Sequence, residues 1–159
     1  MKRETLLLKL VIIVLCIPVL ALAFVGLPRL IIGALQTFPN NQIFVYMAFI
    51  SIYLSAIPFF IAVVQAFKLL LLIDKNKAFS TLAVKNLTKI KFSAFLISGL
   101  YLLTLPLFYM AANITDAPGI IFIGIVVIFA AFIIAIFSAV LEKLLQNAIS
   151  IKSENDLTI

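Results

Sequence analysis

The chain has 159 residues, of which 65% are hydrophobic and only 11% charged, and its mean hydropathy is +1.31. A soluble domain is about half apolar and about a quarter charged, and one this small still exposes roughly a third of its surface. A water-soluble fold is therefore excluded, and lipid is the solvent for most of the chain. One cysteine, Cys16, and no histidine exclude a disulfide framework, a cysteine-ligated metal site and the commonest general base.

A membrane-spanning helix needs about 20 mostly apolar residues. Four stretches qualify, at about 10–35, 43–73, 92–112 and 120–141, giving one all-α integral membrane domain over 1–159. The first is interrupted near its far end by Gly26, Pro28 and Arg29, and the second only by Gln65 and Lys68. Residues 36–42 and 113–119 are short polar turns joining spans one to two and three to four. Lys2-Arg3 followed by an apolar run and Ala21-Leu22-Ala23 has the outline of a secretory signal. The run continues through Phe24, Val25, Leu30, Ile31 and Ile32 instead of turning polar, so an uncleaved first span is expected.

Eleven of the twelve basic residues fall at one end: Lys2, Arg3 and Lys9 before span one, six lysines from Lys68 to Lys91, and Lys143 and Lys152 after span four. Arg29 alone lies at the other. The positive-inside rule assigns the eleven-residue end to the cytoplasm and puts both termini there, as an even number of spans requires.

No charge sits in the middle of a span, so a proton relay or a charged pore ring has no candidate. Three spans carry a proline, Pro18, Pro58 and Pro106, each freeing a backbone carbonyl one turn earlier, at Val14, Leu54 and Leu102. These are expected helix kinks that improve packing, with Ser55 and Thr104 close enough to re-satisfy the backbone. The small and weakly polar residues Ser51, Ser55, Ala56, Ser93, Ser98, Gly99, Gly124, Ala130, Ala131, Ala135 and Ser138 suit close helix approach. The end of span two, from Gln65 to Leu70, echoes the end of span four, from Ala139 to Leu145, as a two-hairpin duplication would.

The inner loop, 74–91, places Phe79, Leu82, Ala83, Leu87 and Ile90 on one helical face and Thr81, Lys85, Thr88 and Lys89 on the other. With Ser80 as its cap, this predicts an amphipathic helix lying on the inner membrane surface and leading into span three. Lys68, Lys85, Lys89 and Lys91 are the expected lipid-headgroup contacts, each contributing about 1 kcal/mol against anionic lipid. No aromatic platform supports direct nucleic-acid binding. Beyond span four, Leu141, Leu144, Leu145, Ala148 and Ile151 form a stripe opposite Glu142 and Lys143, predicting a cytoplasmic extension of the helix to about Lys152, within a tail of 142–159. Its partner is the loop helix or a second protein. The sequons at Asn86 and Asn113 are read as chance matches.

The segments Ile73-Asp74-Lys75-Asn76-Lys77-Ala78-Phe79-Ser80, Asp116-Ala117-Pro118-Gly119 and Ile151-Lys152-Ser153-Glu154-Asn155-Asp156-Leu157-Thr158-Ile159 resemble the YoaS-like family, small four-span bacterial membrane proteins that carry a domain of unknown function. The resemblance covers nearly the whole chain and implies no reaction, cofactor or catalytic residue. It implies a multi-pass protein of the bacterial cell membrane, with a cytosolic helix-turn-helix regulator as a partner. The partner-binding candidates are Asp74, Lys75, Asn76, Lys77, Phe79, Ser80, Lys152, Glu154, Asn155, Asp156 and Leu157.

A regulatory or interaction protein is the expected function. The alternatives are a small transporter, channel or export subunit that uses the proline kinks, alone or as a homo-oligomer, and a membrane self-immunity protein. An enzyme is not expected: the carboxylates are scattered over two aqueous faces and the tail, whereas catalysis needs titratable groups converging on a pocket.

Overall fold

The structure, a computed structural model, describes residues 2–158. Every element is helical: α1 Lys2–Ala21, a π-helical turn Leu22–Gly26, α2 Leu27–Thr37, α3 Gln42–Asp74, α4 Thr81–Thr115 and α5 Gly119–Leu157. The first three run on as one rod of 36 residues, and all four rods are long and apolar enough to cross a membrane. At about 1.5 Å per residue they reach about 50–58 Å, against a hydrocarbon layer of about 30 Å, so each projects from the bilayer.

The order of packing follows the chain. α5 lies on α4, α4 on α3, and α1 and α2 on α3. Among the described residues no comparable packing joins α5 to α1 or α3, so the helices form an open row instead of a closed bundle. The interior is made mostly of small and polar side chains: Ala83, Ala94, Ala112, Ala131, Ala135, Ser93, Ser98, Thr104 and Ser138 are buried, with Leu27, Val45, Leu70 and Leu87 the larger apolar ones, while Phe24, Leu103 and Phe122 lie 67–79% exposed. This inverts a soluble core. Lipid tails are as apolar as leucine, so burying leucine gains little, and close approach of small residues holds such helices together. Gly124 marks the tightest approach: a Cβ there would fall 2.6 Å from Phe108 Cδ2.

Turn chemistry fixes both ends of the row. α3 stops at Asp74 because Asn76 adopts a left-handed backbone (φ 56°). The amide of Asn76 then donates to Ile73 and that of Lys77 to Leu72, which is a Schellman closure. Ser80 caps α4, its Oγ accepting from the Ala83 amide at 3.3 Å. At the opposite end Asp116 takes the left-handed role (φ 53°) that ends α4.

Three expectations change here. The helix expected within 74–91 does lead into span three, but not as a surface element joined to it: from Thr81 it is the first three turns of α4 itself. Its Ala83, Asn86 and Leu87 are buried by neighbouring helices, while Phe79 and Leu82 stay exposed. The tail helix does not stop near Lys152 but runs to Leu157. The apolar stripe on that tail turns inward only in part: Leu145 and Ala148 are half-buried, but Leu141, Leu144 and Ile151 are exposed, and Glu142, assigned to the opposite face, points toward α4.

The helices run through Pro18, Pro58 and Pro106 without a break. Ser55 and Thr104 donate to the carbonyls of Ile52 (2.6 Å) and Leu100 (2.7 Å), not to those the prolines free at Leu54 and Leu102. The real irregularity lies at Pro28. Around it the chain widens to a π-turn, with Leu27 N–H reaching back to the carbonyl of Leu22. Pro28 has no N–H to offer the next carbonyl in that register, Ala23, and the Tyr53 hydroxyl of α3 donates to it instead at 3.0 Å.

Candidate interaction site at the lysine-rich end

The antiparallel order brings the 75–80 turn, the start of α1 and the end of α5 to one end of the molecule. Register along α4 and α5 follows from Ser98, whose hydroxyl donates to the carbonyl of Ile128 at 3.2 Å, and from Thr88, which donates to Glu142 at 2.6 Å. Carried onward, it sets Thr81 near the level of Ile149. Residues 151–157 thus extend past the start of α4 by about 12 Å, every side chain exposed.

Two carboxylates close this end, in the same way. Asp74, the last residue of α3 and just past span two, accepts the Thr5 hydroxyl and the Lys9 ammonium of α1. Glu142, just past span four, accepts the Thr88 hydroxyl at 2.6 Å and the Lys91 ammonium at 2.7 Å. Each lysine also lies over an aromatic ring, Lys9 at 5.9 Å from that of Phe67 and Lys91 at 4.9 Å from that of Phe92. The Lys9 ammonium first, then the Thr5 hydroxyl, hold the Asp74 carboxyl below the usual carboxylate range, outweighing a small upward push from burial. Lys91 and then Thr88 do the same to Glu142. Carboxylates held ionised in this way act as fastenings between helices and are poorly matched to proton transfer near neutrality.

The candidates therefore divide. Asp74 is engaged with α1, Asn76 is the left-handed residue of the α3 terminus, and Ser80 is the α4 cap; each has work inside the fold. Lys75, Lys77, Phe79, Lys152, Glu154, Asn155, Asp156 and Leu157 are exposed at the same end, Phe79 at 59% and Leu157 at 83%. Ile159, the last residue of the tail segment, lies outside the described residues. Of the headgroup candidates, Lys68, Lys85 and Lys89 are exposed, whereas Lys91 is turned inward to Glu142.

Sequence reading missed the two fastenings, whose partners stand 51 to 69 residues apart. It also gave no role to Gln65 and Asn86. Both are buried in the helix packing, with Gln65 Oε1 and Asn86 Nδ2 lacking a hydrogen-bond partner. The burial of Asn86 fits its sequon being a chance match, since a glycan needs a surface asparagine.

The chain is 51% identical to the uncharacterized membrane protein YoaS of Bacillus subtilis (strain 168) over 158 residues, covering 99% of each chain. No solved structure matches it. A family model for a protein of unknown function, DUF2975, matches residues 29–159. The open row of four lipid-exposed helices thus belongs to a multi-pass membrane protein, and the chain is a member of the DUF2975 family.

Proposed function

We propose that the protein is a non-catalytic membrane-bound interaction protein whose lysine-rich end, with both termini, faces the cytoplasm and holds a small helix-turn-helix regulator. The orientation rests on eleven basic residues at one end against Arg29 at the other. One observation carries the interaction: apolar side chains stand exposed beyond the spans, where lipid tails do not cover them. Phe79 (59%), Leu82 (57%) and Leu157 (83%) are the clearest, set among Lys75, Lys77, Lys85 and Lys152. A basic rim around apolar anchors suits a partner with an acidic surface and an apolar patch.

The test is crosslinking in native membranes followed by purification of three chains: full length, truncated after Ser150, and Phe79→Ser with Leu82→Ser. Membrane abundance of each chain is the folding control. The regulator should come down with the full chain and fall by about tenfold with each variant. Equal recovery from all three would overturn the proposal.

A further inference from the structure

At the end opposite the lysines the row of helices leaves a groove of about 480 Å³, open on one side and lined by α2, α3, α4 and the start of α5. This is within the range of small-ligand sites. Phe38, Phe44, Phe49, Phe108 and Met110 are the bulky members of its apolar wall. Arg29 is the one charged side chain in the lining, and the one basic residue at this end of the molecule.

Its position is unusual. Arg29 lies eight residues before the end of α2, about 12 Å below the polar 38–41 turn. Among the described residues it has no ion pair: the two bridges join Lys9 to Asp74 and Lys91 to Glu142. Asp116, the one acidic residue at this end, is the exposed left-handed terminus of α4 and does not reach it. Arg29 follows Lys9 by 20 residues, about 30 Å of helix, which sets it at the far edge of the hydrocarbon layer, where an arginine stem carries its head to the level of lipid phosphates. Its planar donors match a phosphate in a bidentate fashion.

We propose that the groove binds one anionic phospholipid of the phosphatidylglycerol class, with an acyl chain along Phe44, Phe49 and Met110 and the headgroup phosphate on Arg29. Charge complementarity selects this occupant: a zwitterionic lipid fills the groove equally well but brings its own cation to the phosphate. The π-turn and Pro28 stand immediately before Arg29 in the same rod.

The full chain is reconstituted in phosphatidylcholine vesicles doped with either a diazirine-acyl phosphatidylglycerol or a diazirine-acyl phosphatidylcholine at equal mole fraction. Labelled peptides are mapped by mass after illumination. Labelling of the 44–52 and 107–111 segments should favour the anionic probe by about tenfold, the size of one charge-assisted hydrogen bond. Arg29→Gln should equalise the two probes, and Arg29→Lys should retain part of the preference. Ala48→Phe, which fills the groove from α3, should lower labelling by both. Three results overturn the proposal: equal labelling of the wild-type chain by the two probes, a preference that survives Arg29→Gln, or protein–protein crosslinks at the groove in place of lipid adducts. Arg29 is exposed, and no hydrogen bond or ion pair among the described residues uses its side chain, so the glutamine variant remains a fair test.

Discussion

Replacing Glu142 with Gln tests what locks α4 to α5 at the water boundary. The carboxylate accepts two hydrogen bonds, from Thr88 at 2.6 Å and from Lys91 at 2.7 Å. Its side chain is 13% exposed and that of Lys91 21%. A hydrogen bond to an ionised group contributes about 1.5–3 kcal/mol when shielded, and an exposed ion pair about 0–1. With this partial shielding, Glu142→Gln should cost about 2 kcal/mol, and Glu142→Ala about 3 because nothing then faces Thr88. Lys91→Met completes a double-mutant cycle, in which the coupling energy should be about 1–2 kcal/mol.

The assay is unfolding by SDS titration in mixed micelles, followed by far-UV circular dichroism. Glu142 binds its proton more weakly in the folded protein than in the unfolded chain, so the pair stabilises fully above the ordinary carboxylate value of 4.5. That contribution is lost as pH falls through the lowered folded-state value. Wild type and Glu142→Gln should therefore differ at neutral pH and converge in acid. Parallel curves down through that range, or a coupling energy near zero, would refute the reasoning.

Asp74→Asn should release α1 from α3, seen as lost amide-exchange protection over residues 2–12 with α4 and α5 unchanged; acid should release it in the wild type too, since Asp74 is likewise held below its usual range. Tyr53→Phe should cost on the order of 1 kcal/mol by orphaning the Ala23 carbonyl. In a Pro28→Ala background, where the restored amide can serve that turn, the same change should be silent. Gly124→Ala should cost about 1–3 kcal/mol in the SDS titration, because Phe108 must turn aside. Gly99→Ala, where a Cβ meets nothing within 4 Å, should cost nothing, and equal losses at the two glycines would refute the close approach.

Sequence reading found the spans, because apolar runs of about 20 residues bounded by polar turns match the thickness of a bilayer, and it found the Ser80 cap from local chemistry. It failed where it asked which way a face points. On a soluble helix the apolar stripe marks the core, and that rule assigned Leu141, Leu144 and Ile151 inward and Glu142 outward. In lipid the rule reverses: the large apolar residues face the tails, and the core side is the small or polar line through Ala131, Ala135, Ser138 and Glu142. The exposed part of the candidate site was legible as a charge pattern. Its fastenings and the Arg29 groove were not, because each depends on side chains that only the packing order of the helices brings together.

The two hairpins share a fastening but not a seam. α4 and α5 are held along their length by Ser93, Ser98, Ala131, Ala135 and Ser138, with Gly124 admitting Phe108 at the far end. Among the described residues α1 and α2 bury only Thr5 and Leu27, so the first rod is fixed to α3 at its lysine end by Asp74 and near its middle by the Tyr53–Ala23 bond. Beyond that bond α2 lies on α3 with no side-chain hydrogen bond or ion pair between them among the described residues, and the groove opens beside them. A lipid phosphate on Arg29 and a proton on Asp74 would then act on the same rod from its two ends: the first would draw α2 onto α3, and the second would let α1 leave it.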